Sequence, residues 1–173
     1  MKAPHDWIVP DWPAPPRVKS LITTRNGGVS AGAYASFNLG LRAGDDAAAV
    51  HANRQQLRAC LPADPKWLRQ VHAARVVVAD GLAGMPEADA SIARTAATVC
   101  AVMIADCLPV LLCDRAGSVI GIAHAGWRGL SSGVIENTVH EMGIAPEELL
   151  DYFGPAIGPD AFEVGAEVRN VFL

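Results

Sequence analysis

The sequence has no run of lysines or arginines, and its 14 Lys and Arg are outnumbered by 18 Asp and Glu, for a formal net charge of −4. A chain without a basic field has little with which to neutralise a polyphosphate backbone, which argues against a nucleic-acid partner and for a small ligand. No uncharged apolar stretch approaches the ~18 residues that a membrane helix needs. The opening "MKAPHDWIVPDWPAPP" has a single lysine and no apolar core of signal-peptide length, so the expectation is a cytoplasmic protein with no membrane partner. Repeats, linkers and low-complexity tracts are lacking too, apart from "DWPAPP", whose prolines keep the start of the chain extended. There is no CxxC pair among Cys60, Cys100, Cys107 and Cys113. A chain of 173 residues that is 51% hydrophobic buries one sizeable core without disulfide staples, so these cysteines are expected as free thiols or ligands in a single domain over 1–173.

What is present alternates short apolar runs with turn signals. "VKSLITTR" predicts a strand and "NGGVSAGAYASFNLG" a glycine-rich loop. "DDAAAVHANRQQLRACLP" predicts a helix with an aspartate cap and a stopping Pro62; Val50, Leu57 and Leu61 form its core stripe, with Asn53 or Arg54 completing the spacing. "KWLRQVHAARVVVAD" predicts strand, tight turn, strand, and "TVCAVMIAD", "PVLLCD" and "SVIGIAHA" three buried strands. "LSSGVIENTVHEMG" predicts one helix with Leu130, Val134, Thr138 and Met142 on one side, ended by Gly143, and Pro146 opens a further short helix. Hairpins with few helical crossovers imply an α+β fold.

"CDRAGS" supplies a four-residue loop, Asp114 to Gly117, between Cys113 and Ser118. If 113 opposes 118, then 107 opposes 124, and directly opposed side chains have Cβ atoms roughly 4.5–5.5 Å apart, close enough to share one metal ion or one proton. Pro109 cannot donate to a ladder and threatens that register. Cys60, Cys100 and Cys113 read as small apolar fillers, and Cys107 could be one as well. Two features argue otherwise: Cys107 ends a strand beside the charged Asp106, and its expected partner is His124. His5, His51 and His140 fall in the tail or on helix faces. His72, by contrast, sits at a strand end before a turn, equivalent to the positions of Cys107 and His124. One cysteine with two histidines is a zinc set that leaves a fourth coordination position open, as catalytic sites do.

In order along the chain, "TTRNGGVSAGAYASFNLG", "AGDDAAAVHANRQQL", "QVHAARVV", "EADASI", "ADCLPVLLCD", "HAGWRGLSSGVIENTV" and "GPAIGPDAFEVG" resemble the YfiH or laccase-domain family, once described as multicopper polyphenol oxidases. The resemblance implies an α+β fold of mixed sheets flanked by helices, in α/β/β/α layers, related to the catalytic domain of a deamidating bacterial toxin. It places the metal on the QVH histidine, the ADC cysteine and the HAGWRG histidine, here His72, Cys107 and His124. It implies a zinc-dependent purine nucleoside phosphorylase acting on adenosine, inosine, guanosine and methylthioadenosine, with an adenosine deaminase activity. It also leads one to expect further residues after "EVGAEVRNVFL", including a terminal strand region with an arginine-bearing motif.

The residue types agree with that chemistry. Zinc lowers the pKa of bound water to about 7, which deamination of a purine requires. Phosphorolysis needs a held anion, and with neither a GxxxxGK[ST] loop nor a GxGxxG turn the task falls to arginines. Arg25 and Arg128 each lie beside glycines that let backbone amides approach a phosphate, whereas Arg54 reads more readily as a solvated helix-face residue. Asn38 and Gln70 lie in matched motifs and could bind a base or ribose, or serve as loop cap and strand-edge polarity. Asp89 or Asp106 could orient a metal-bound histidine, though strand alternation points Asp106 away from the face of Cys107. Asp114 and Asp45 are explained as turn and helix-cap residues. Three alternatives stand beside the zinc reading. A copper phenol oxidase suits one Cys and two His but needs the many histidines of a multicopper cluster; a metal-free hydrolase would use Cys107 as nucleophile and His124 as base; a binding module would use neither. The oligomeric state is left open.

Overall fold

Five of the seven strands form one sheet in the order β2-β3-β6-β5-β7, in a computed structural model that describes residues 6–173. The strands are β1 (Pro65–Lys66), β2 (Val76–Val78), β3 (Ala90–Ala93), β4 (Val99–Cys100), β5 (Leu108–Asp114), β6 (Ile120–Ala125) and β7 (Leu149–Phe153). β2 runs parallel to β3 and every other pair in this sheet is antiparallel, while β1 and β4 make a separate parallel pair. Among the described residues there are four α-helices: α1 (Ala47–Ala59), α2 (Trp127–Ser131), α3 (Val134–Met142) and α4 (Ala166–Val171). The chain thus has the expected mixed α+β fold.

The main core lies where α3 crosses the sheet. Val134 and Met142 pack on Ile92, Val110, Leu112 and Ala123, and burying each of the larger of these stabilises the fold by about 1.5–3 kcal/mol. Gly121 lets the helix come this near, since a Cβ there would stand 3.0 Å from Met142 Sδ and 3.1 Å from Thr138 Cγ2. A smaller cluster of Trp7, Phe37 and Leu57 fixes α1 against the glycine-rich loop.

Asn53, fully buried on α1, completes that attachment. Its Oδ1 accepts from Val29 N, and its Nδ2 donates to Ser30 Oγ, Ser36 O and Asn38 O. The α1 stripe is therefore Val50, Asn53 and Leu57, with Leu61 only half-buried. The cap of α1 is Asp46, which accepts from Ala48 N; Asp45 instead accepts from Asn38 Nδ2 and from Asp46 N.

Several expected elements take a different form. "VKSLITTR" contributes only an isolated bridge, Ile22 to Ile8. "TVCAVMIAD" is a strand only at Val99–Cys100, because Gln70 captures the backbone of Met103. The expected helix over 130–142 is two helices, broken at Gly133, whose φ of 85° lies in the left-handed region. The Pro146 turn lasts three residues and leads into β7, one of the sheet's two edge strands, which the sequence did not signal. The β5–β6 hairpin pairs Cys113 with Ile120 and Pro109 with His124, so the expected register is off by two. The cause is Asp114, whose carboxylate takes Ser118 N, Ser118 Oγ and Val119 N and so draws Ser118 and Val119 into the turn, two extra residues on the β6 side. A shift of two keeps each side chain on its face, so Cys107 and His124 remain neighbours, on a diagonal rather than directly opposed. His5 lies outside the described residues.

Candidate metal centre

Three separate segments bring His72, Cys107 and His124 together. His124 sits near the end of β6, 4% exposed. Cys107, half-buried, immediately precedes β5, and the exposed His72 lies in the turn between β1 and β2. One ligand atom from each lies within 4.8 Å of the others, and the two imidazoles meet edge to face with centroids 4.7 Å apart. Among the described residues they form the single such group of histidines, cysteines and carboxylates.

Asp89, fully buried just before β3, holds this arrangement. Its carboxylate accepts the amides of Val71, His72 and Ala73, at 3.1, 2.9 and 2.9 Å, and faces His124 Nδ1 at 2.8 Å. Burial opposes its charge, but the Ala73 amide, the His124 ring and the Val71 and His72 amides outweigh that and keep the carboxyl below the usual range. An ionised carboxylate can only accept, so Nδ1 of His124 carries the proton and Nε2 is left as the ligand atom. The same amide bonds stabilise His72 at a φ of 59°, a left-handed conformation that costs a non-glycine residue about 1–3 kcal/mol. Of the two aspartates considered from sequence, Asp89 is the one bonded to a histidine of the cluster.

Asp106 is not turned away from Cys107. Asp106 lies two residues ahead of Leu108, where strand pairing begins, so strand alternation does not reach it. Burial, then the charge of Asp106, a hydrogen bond to its carboxylate and the charge of Asp89 push the Cys107 thiol up. That direction is opposite to the one that activates a cysteine nucleophile, and a cation beside the sulfur reverses it. Cys100 and Cys113 are pushed up to about 11 by burial and lie outside the cluster, as fillers should.

The cluster opens on a cavity of about 1210 Å³ whose lining includes Arg25, Asn38, Gln70, Met103 and Ile157. Arg25 is fixed there by Nε donating to Ala35 O at 2.8 Å. Arg128 does not line this cavity; it is exposed on α2 with its guanidinium 4.2 Å above the Trp127 ring. Gln70 spends both ends of its amide on Met103, and Asn38 bridges Asp45 and Gly40 N, so each shapes the wall through its hydrogen bonds. Arg54 donates to Leu39 O and stacks 3.9 Å over Trp67. Ile157, from "GPAIGPDAFEVG", donates its amide to Asp106 O, which seats that loop beside Cys107; no sequence signal marked this contact.

The donors suit a metal. Around a tetrahedral zinc-sized ion, sulfur and nitrogen ligands stand roughly 3.3–3.5 Å apart, so the present triangle needs to close by little more than about 1 Å.

The model of a family described as multi-copper polyphenol oxidoreductase laccase matches residues 19–173. The chain belongs to this family. It is 52% identical over 167 residues to a protein of Pseudomonas aeruginosa named a purine nucleoside phosphorylase, covering 96% of this chain and 69% of that one. The purine nucleoside phosphorylase YfiH of Escherichia coli is also 52% identical, over 96% of this chain and 70% of its own length. A crystal structure of a Neisseria meningitidis protein superposes with a TM-score of 0.91 at 53% identity, over 97% of this chain and 70% of that one. The laccase-family resemblance seen in the motifs is thereby established over nearly the whole chain.

Proposed function

We propose that this member of the laccase family is a cytoplasmic, zinc-dependent purine nucleoside phosphorylase that cleaves adenosine, inosine, guanosine and methylthioadenosine with phosphate, and that it also deaminates adenosine. The observation that carries the reading is the convergence of His72, Cys107 and His124 on one large cavity. The names of the Pseudomonas and Escherichia relatives support it. No helix of the described residues is long and apolar enough to cross a membrane.

Bound zinc would supply a Lewis acid and a water with a pKa near 7. The chain does the rest. Asp89 fixes the tautomer and direction of His124 and the backbone that presents His72. Arg25, its Nε already engaged, offers its terminal nitrogens to an anion in the cavity, and Arg128 is the second candidate for the phosphate. Gln70 and Asn38 shape the wall against which the nucleoside lies.

Copper is the second reading, because one thiolate and two imidazoles also suit it when a thioether completes the set. Met103, one of the methionines of the cavity wall, instead accepts a contact from Arg54 at its sulfur, and the wide cavity suits a substrate better than electron transfer.

The test is metal analysis of protein purified without added metal, followed by product analysis on adenosine with and without phosphate. Zinc at one per chain is expected, with adenine and ribose 1-phosphate formed only with phosphate and inosine formed without it. Copper in the protein together with phenol oxidation would overturn the proposal.

A further inference from the structure

We infer that Gly126 is a positioning residue for the metal ligands, its missing side chain keeping open the space between Cys107 and His72; the inference rests on the metal reading above. Gly126 lies between β6 and α2 with φ −66° and ψ 159°, extended backbone that any residue adopts. The backbone therefore does not require glycine here. Space does. One step beyond the Leu108 to Ala125 pair, the strand pairing carries Cys107 to a place opposite Gly126. A Cβ at 126 would stand 2.8 Å from Cys107 Sγ, 3.1 Å from His72 Cδ2 and 3.7 Å from Cys107 Cβ.

Other tight glycines of the chain meet different atoms. Gly121 faces the flexible end of Met142, and Gly129 faces the backbone oxygens of Ala73 and His124. Among the described residues, Gly126 is the glycine whose nearest atoms are the side chains of two of the three ligands. Carbon and sulfur prefer a separation well beyond 2.8 Å, so an added methyl forces the thiol or the His72 ring aside. Cys107 can yield by turning about its single side-chain bond, and His72 by swinging into solvent, where it is already exposed. Both movements relieve the clash and take a donor away from the shared point. The cost of a methyl group at 126 thus falls on metal affinity more than on the fold.

The test compares metal-free parent and Gly126→Ala by thermal melting, then by zinc titration against a competing chelator and by the absorption spectrum with cobalt(II). Melting of the metal-free proteins is expected to agree closely, while zinc affinity falls by about tenfold or more and the thiolate-to-cobalt band of the parent weakens or is lost. Equal zinc affinity and an unchanged cobalt spectrum in the variant overturn the inference and leave the metal reading intact. A parent that binds neither ion overturns both. If Gly126→Ala does not fold, the double variant with Cys107→Ala is expected to recover folding, because the nearest obstruction has gone. A double variant that remains unfolded shows that the glycine answers to something other than the ligands, and the inference fails.

Discussion

The Nδ1 of His124 and the Oδ1 of Asp89 lie 2.8 Å apart in the interior, and the same carboxylate receives three successive amides of the turn that presents His72. One buried side chain therefore couples two histidines of the cluster that are far apart in sequence. A shift of the backbone at His72 or of the His124 ring disturbs the same carboxylate.

Asp89→Asn tests that coupling. The amide group can accept at one atom only, so some of the turn amides lose their partner and His124 loses the charge that fixes its proton on Nδ1. Metal affinity is expected to fall roughly 10–100-fold, the usual loss when a histidine's supporting carboxylate is removed. Chelator competition on parent and variant measures it. Unaltered affinity would mean that the three ligands are held by packing alone.

Arg25 and Arg128 are separated by placement. Arg25→Ala removes a guanidinium that lines the cavity, and the phosphate KM is expected to rise roughly ten- to a hundredfold, the worth of a charge-assisted hydrogen bond, with metal content unchanged. Arg128→Ala removes one that lies over Trp127, and a smaller rise is expected. Steady-state kinetics at varied phosphate rank the two. The reverse order would move the anion site to the start of α2.

Away from the centre, Asp114 ties the β5–β6 turn. Burial pushes its carboxyl up, but the Ser118 hydroxyl and the Val119 and Ser118 amides together hold it below the usual range. A folded-state pKa below the unfolded value of about 3.9 means that the unfolded chain binds more protons in that window. The stabilisation is complete above about pH 4 and is lost as pH falls through the folded pKa. Asp114→Asn is expected to be about 1–2 kcal/mol less stable than the parent at pH 7, with the gap narrowing below pH 4. Urea titrations at the two pH values read it directly.

The parts of the molecule legible in the sequence were those governed by local chemistry. The stop of α1, an aspartate cap misplaced by one residue, the β5–β6 hairpin and the left-handed Gly143 that ends α3 follow from residues next to one another. The cluster of His72, Cys107 and His124 was legible because Cys107 and His124 each border an apolar run beside a turn, and a register error of two left their faces unchanged. What escaped was tertiary. Asp114 widened the hairpin by taking three donors that a turn count cannot foresee. The capture of Met103 by Gln70 kept an apolar run from becoming a full strand, and the pairing of "LLDYF" with β5 made a strand out of a segment with no turn signal of its own. Asn53 showed itself in sequence only as a polar residue on an apolar stripe, which was the signal of the four bonds it makes.

His72→Ala decides between a metal centre and a cysteine nucleophile. Cys107→Ala cannot, because both readings lose activity with the thiolate. A Cys107–His124 dyad would survive the loss of His72: Asp89 would still face His124, and a substantial fraction of turnover should remain with no sensitivity to chelators. A three-ligand metal site would not survive, since two protein ligands bind far more weakly than three. Parallel loss of metal, phosphorolysis and deamination is therefore expected in His72→Ala, with chelator sensitivity in the parent. The exposed position of His72 makes the substitution a clean one, because an alanine there leaves no cavity in the core and relieves little packing. A metal-depleted His72→Ala protein that still turned over adenosine would shift the assignment to a hydrolase working from Cys107, in spite of the burial and the neighbouring carboxylates that push its thiol up.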